Sequence, residues 1–290
     1  MNIGIIFALL AVIFWTFGDF FIQRSTRKVG DVETLFWIGF VGSIGIFWFI
    51  RDEVSFLVDV EKVLFLSGVG LLTLVAALLL FEGLKRGKLA IVEPIFGLEL
   101  PFTVFFSIVV TREFIGLSGY VYILIIFIGL LLTAVSHLHH LKFHRTIFEK
   151  GVPYAALGAI LMGLMNYLTG IGARALSPLA TIWFIHTFLA IVCFCIVVKR
   201  GHVGTLAKNI VTERATIFPL AILDNAAWIS YAYAMVFLPI SIATALSESY
   251  IATAVLVGIF INKEKLKRHQ IVGVCLVVIG LFFLSKYASS

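Results

Sequence analysis

The sequence predicts an all-α integral membrane fold: ten transmembrane helices forming two inverted five-helix repeats around a central cavity. Three observations predict it. Of 290 residues, 61% are hydrophobic and 13% charged, with mean hydropathy +1.10, too little polarity to cover a water-soluble domain. The apolar residues fall in blocks near the roughly 20 residues that span a bilayer. Finally, 17 of the 22 Lys and Arg residues sit in loops after odd-numbered blocks.

The first span, Ile3–Gln23, lacks a basic start and a small-residue cleavage site, and similar blocks follow it. It is therefore not a cleavable signal peptide. It carries Trp15 and Asp19 one helical turn apart. Val32–Ile50 and Val63–Leu84 follow, and Glu82, beside "EGLKRGK", is expected to pair at that basic end. The fourth span, Leu89–Val110, contains "LAIVEPIFGLELPFTV", with Glu93, Glu99, Pro94 and Pro101. Each proline frees the carbonyl four residues back. Free carbonyls at depth are tolerated only against protein or water, so this span is expected to be a bent wall of a wet path. On a regular helix Glu93 and Glu99 point about 120° apart. Leu117–His137 completes the first half, residues 1–145. The "HLHHLKFHR" run behind it (His137, His139, His140, His144) contains no Cys, Asp or Glu, and no metal site is expected.

The second half, residues 146–290, begins with Val152–Ile171, which holds Asn166. Leu179–Val198 holds His186, equally readable as a helix contact or a ligand group. Cys193 and Cys195 there, like Cys275, read as small buried hydrophobes. In Ala215–Val236, Asp224, Trp228 and Tyr231 stand at i, i+4, i+7 and share a face; Asn225 is a further polar group. Ile240–Ile261 contains Glu248, and Gln270–Leu284 closes the chain.

Basic loops stay in the cytoplasm, so both termini are expected on the non-cytoplasmic side of the plasma membrane. Five spans per half is an odd number, so the second half enters from the opposite side, an inverted repeat with a site near the midplane. Residue matches support two related halves: Glu113 falls on Glu264, Gly129 on Gly280, Thr34 on Thr181 and Asp19 on Asn166.

Five acids lie deep within spans: Asp19, Glu93, Glu99, Asp224 and Glu248. No Lys or Arg lies as deep. Charged groups at mid-bilayer are costly, face protein or water, and mark function. Any one of them alone reads equally as a neutral interhelical contact. Together they leave two readings, a bound cation or carried protons, with both competing for the same acids. An acid beside aromatic rings suits an organic ammonium, through charge and cation–π attraction. No nucleotide-binding loop, hydrolase elbow or zinc-protease motif is present, so neither an ATP-driven pump nor an enzyme is supported, and no cofactor is expected.

Three segments carry a family resemblance: "GLELPFTVFFSIVVTREFIGLSG" (Gly97–Gly119), "SIATALSESYIATAVLVGIFINKEKLKRHQIVGVCLVVIGLFFLS" (Ser241–Ser285) and the opening "FALLAVIFWTFGDFFIQ". The first two resemble the closing part of an EamA-type repeat of the drug/metabolite transporter superfamily, in which an apolar helix ends in a glutamate and a Gly-punctuated helix follows. The first copy departs from the pattern, with Glu99-Leu100-Pro101 where a Glu-Pro step is usual. The resemblance implies ten helices in two pseudo-symmetric halves, a central cavity and alternating access. It does not imply a substrate.

The expected function is secondary transport of a small amino-bearing or cationic metabolite. Substrate contacts are expected from Trp15, Asp19, Glu99, Asn166, Asp224, Trp228, Tyr231 and Glu248, with Glu93 or Glu99 carrying protons. The rivals are an uncoupled uniporter or exchanger, a lipid-linked substrate flippase, and a membrane scaffold. Expected partners are the substrate, protons and membrane lipids, with no nucleic acid, in a monomer or homodimer.

Overall fold

A computed structural model describes residues 2–86, 95–135, 151–254 and 267–289. The helices are α1 (Ile3–Lys28), α2 (Asp31–Ile50), α3 (Val60–Arg86), α4 (Glu99–Thr111), α5 (Gly116–Ala134), α6 (Val152–Ala175), α7 (Pro178–Lys199), α8 (Val203–Thr212), α9 (Arg214–Phe237), α10 (Ile240–Ser247) and α11 (Arg268–Tyr287). A short 3-10 turn, Val54–Val58, precedes α3. Among the described residues, eight helices are long and apolar enough to cross a membrane: α1, α2, α3, α5, α6, α7, α9 and α11.

Helix starts follow the local chemistry. The Asn2 side chain accepts from the Gly4 amide at 2.9 Å and caps α1. Ser177 does the same for α7 through the Ala180 amide at 3.1 Å, with Pro178 pre-set for the first turn. Asp59 accepts from the amides of Glu61 and Lys62 at the head of α3, and Lys62 Nζ lies 2.9 Å from it. The Lys62 side chain, aided by these amides, holds the Asp59 carboxyl below its ordinary range.

Three elements depart from a plain alternation of straight spans and loops. Part of the loop after the seventh span is a helix, α8, because Val203, Leu206 and Ile210 recur on one face and Leu206 is buried. The fourth span, expected to bend, and the ninth, expected to run unbroken, are not uniform helices. A turn at Gly97–Leu98 precedes α4 at Glu99. Another at Glu248–Ser249 separates α10 from helical residues 250–254. The backbone there tightens to i→i+3 bonds, Ile251 N to Glu248 O at 3.2 Å and Ala252 N to Ser249 O at 3.0 Å. The remaining lengths of these spans, with Glu93, the His137–His144 run and Glu264, lie outside the described residues.

The most extensive helix contacts join the two halves. α1 lies along α9, α5 along α11, α2 along α7 and α3 along α6. Lesser contacts come in matched sets: α4 on α6 with α10 on α1, and α3 on α7 with α9 on α2. Small residues permit the closest approaches, as expected where lipid supplies no hydrophobic drive. At Gly129 of α5 a Cβ would stand 2.8 Å from the Gly273 carbonyl of α11, and at Gly280 one would stand 2.6 Å from Ile126. Large apolar side chains such as Phe49, Val110 and Phe282 remain on the outside, where lipid covers them.

Candidate functional site

Four of the expected acids come together. The charge of Asp19 (α1) is felt by Glu99 (head of α4), Asp224 (α9) and Glu248 (end of α10), and Glu99 and Glu248 also feel each other. Glu99 and Glu248 are within hydrogen-bonding reach. Two ionised carboxylates have no donor between them, so that bond exists only when the pair holds a proton. No lysine or arginine is buried among the described residues.

The walls around these acids are aromatic. Trp15 packs edge-on against Trp228 at 5.2 Å and Tyr231 at 5.3 Å, and against Tyr250 at 5.5 Å between centroids. The indole N–H of Trp228 reaches Asp224, and the Tyr250 hydroxyl reaches Asp19. The two acid–tryptophan pairs thus face each other from α1 and α9. Asp19, Glu99, Trp228 and Tyr250 are half-buried, whereas Trp15, Tyr231, Asp224 and Glu248 are buried. Tyr231 is held by Thr244 of α10 at 2.6 Å between hydroxyl oxygens, and Thr16 of α1 bonds Thr253 just past the break.

The break in the ninth span leaves polar atoms unsatisfied. Glu248 Oε2 and Ser247 Oγ are buried with no hydrogen-bond partner among the described residues. Such atoms are uncommon and call for a reason. A cationic or hydroxyl-bearing ligand seated among the acids would satisfy them.

Other candidates fall elsewhere. Asn166 is buried on α6 and makes no hydrogen bond with a described residue. His186 bonds Asn225 at 2.6 Å, and the Asn225 amide donates to Ile38 O at 3.0 Å and Ala221 O at 2.7 Å. That fixes Asn225 Oδ1 as the acceptor and puts the proton on His186 Nδ1. This network ties α2, α7 and α9 and is a helix contact. Glu82 pairs with Arg86, whose guanidinium lies 4.8 Å over the Tyr154 ring.

Sequence reasoning missed two features. Tyr250 sits in a short polar run, "SESY", where no helical spacing singles it out. Glu113 stands in a loop, yet its carboxylate accepts from the amides of Ile240 at 2.9 Å and Ser241 at 3.1 Å, and from the Ser241 hydroxyl. Arg174 completes this clasp, donating to Glu113 at 3.2 Å, Met235 O at 2.7 Å and Leu238 O at 2.8 Å. Both ends of the α9–α10 turn are thereby satisfied.

Fold and site define a multi-pass integral membrane protein whose interior acids are walled by aromatic rings. The profile of the EamA-like transporter family matches residues 2–135 and again 149–286. The chain belongs to this family, within the drug/metabolite transporter superfamily, and so to membrane transporters of small molecules rather than enzymes. An uncharacterised protein of Methanocaldococcus jannaschii is 29% identical over 141 residues, covering 47% of this chain and 100% of that protein. A crystallised protein of 15% identity superposes with TM-score 0.74 over 99% of this chain and 97% of its own, a likeness of fold alone.

Proposed function

We propose that the protein exports a small amino-bearing or cationic metabolite across the plasma membrane, by alternating access and in exchange for protons. One observation carries this reading: Asp19, Glu99, Asp224 and Glu248 converge on an aromatic box, with no buried lysine or arginine among the described residues. An ammonium group would sit against the carboxylates and over Trp15, Trp228 and Tyr231. Asn166 would supply a neutral polar contact from α6. The Glu99–Glu248 pair would load a proton when the cation leaves and release it when the cation binds, which is the linkage exchange requires. Glu93 is the alternative carrier.

The matched helix contacts support an inverted repeat. Exchanging the halves turns the α1–α9 contact into α6–α3, and turns α4–α6 into α10–α1. Interrupted helices at the two glutamates fit a midplane site of the kind inverted-repeat transporters use. The basic loops would face the cytoplasm and both termini the outside.

The test is reconstitution in liposomes with an imposed pH gradient, screening amino acids, polyamines and quaternary ammonium compounds. Substrate-dependent proton flux is expected for at least one class. Substrate flux that is blind to the gradient would leave an uncoupled uniporter or exchanger instead. Unchanged transport in Asp19→Asn and Asp224→Asn would remove both residues from the site.

A further inference from the structure

A cavity lies apart from the acid box, at the end of the molecule where the basic residues gather. Its volume is about 560 Å3, and Glu33, Val75, Leu78, Glu82, Tyr154 and Arg200 are among its lining residues. They come from the head of α2, the tail of α3, the head of α6 and the residue closing α7.

Two features of its chemistry are informative. Glu33 is only 8% exposed, yet makes no hydrogen bond or ion pair with a described residue. Its carboxylate lies against Gly30 at the head of α2, where the helix dipole favours a negative charge, and it lines the cavity. The exposed Arg200 guanidinium at the same cavity is likewise unpaired. The other two acids are engaged: Glu82 is held by Arg86, and Asp31 has a contact of its own. What remains is one carboxylate and one guanidinium, a complement for a molecule carrying an ammonium and an anion together.

The apolar wall identifies the rest of that molecule. Val75, Leu78 and Glu82 continue the helix stripe of Leu64 and Leu71, which are 67% and 53% exposed on the outer face of α3. That face looks at hydrocarbon, so the cavity opens sideways to the bilayer.

We infer that this cavity binds the headgroup of a phosphatidylethanolamine-type lipid, with its ammonium on Glu33, its phosphate on Arg200 and its acyl chains along Leu64, Leu71 and Val75. A primary ammonium donates hydrogen bonds to the carboxylate, and a guanidinium suits phosphate. The geometry is independent of the acid box and of any transported substrate.

The test uses the full-length protein purified in detergent and read by thermal unfolding. Added phosphatidylethanolamine should raise Tm, because a ligand of the folded state stabilises it. Phosphatidylglycerol with the same chains should raise it much less. In Glu33→Gln and in Arg200→Gln, at least about tenfold more phosphatidylethanolamine should be needed for the same shift. Lys208→Gln, on exposed α8, should keep the full response. Equal shifts with both lipids would overturn the inference, as would an undiminished response in Arg200→Gln, a surface change that leaves the fold intact. The same shift from soluble phosphoethanolamine would replace the lipid by a free zwitterion.

Discussion

At the scale of the residue, the informative atom is Glu248 Oε2, buried with no hydrogen-bond partner among the described residues and beside a second carboxyl from the other half of the chain. If the Glu99–Glu248 pair carries the proton, Glu248→Gln should keep substrate exchange and abolish uptake driven by a pH gradient, both measurable in the same liposomes. The aromatic wall makes a separate prediction. Trp15→Ala should weaken binding of an ammonium substrate by about 0.5–2 kcal/mol, and Trp15→Phe by less, because a smaller ring retains part of the cation–π attraction. Titration calorimetry with the substrate distinguishes the two. Much of this site is legible in the sequence because its pairs are local: Trp15 with Asp19, and Asp224 with Trp228, need only helical spacing. Tyr250 was not legible, since it reaches Asp19 across the molecule and belongs to no stripe of its own.

At the scale of the element, the fourth and ninth spans show what periodicity leaves out. Their apolar content reads as continuous helix, yet the chain turns at Gly97–Leu98 and at Glu248–Ser249. Around Glu99 the sequence does warn of this, through Gly97 and Pro101. Around Glu248 the turn depends on contacts from elsewhere, such as Thr16 on Thr253. The Glu113 clasp acts at the other end of α10. Arg174→Met would free the Met235 and Leu238 carbonyls and strip Glu113 of its cation. Unfolding stability should fall by about 1–3 kcal/mol, and exchange of the Ile240 and Ser241 amides should quicken, as hydrogen exchange would detect. The cap of α3 gives a pH signature. The Asp59 carboxyl titrates below its unfolded value, so its contribution is present at neutral pH and disappears as pH falls through the folded value. Asp59→Asn should flatten that acid limb in a stability–pH profile.

At the scale of the whole molecule, the halves are interleaved. The four most extensive helix contacts each take one helix from residues 1–145 and one from residues 146–290. Sequence patterning finds two halves because each repeats the same hydropathy. It says nothing of which faces meet, since that is settled by how closely the helix backbones approach at positions such as Gly129 and Gly273. Each half expressed alone should be degraded, whereas the two co-expressed should purify together; recovery of stable single halves would contradict the pairing. A cysteine introduced at Ser289, beside the Asn2–Ala288 contact that joins the chain ends, should label from outside intact cells. Labelling only after permeabilisation would reverse the orientation.

The same interleaving bears on synthesis. When α5 has left the ribosome, α1, α2 and α3 are already in the bilayer with their principal contact faces unmatched. At ordinary translation rates the missing helices arrive on the order of 10 s later. Through that interval Asp19 and Glu99 stand in the membrane before Asp224 and Glu248 exist. The nascent first half must therefore wait, with its acids neutralised by protons or kept near the insertion machinery, until the second half arrives to complete it.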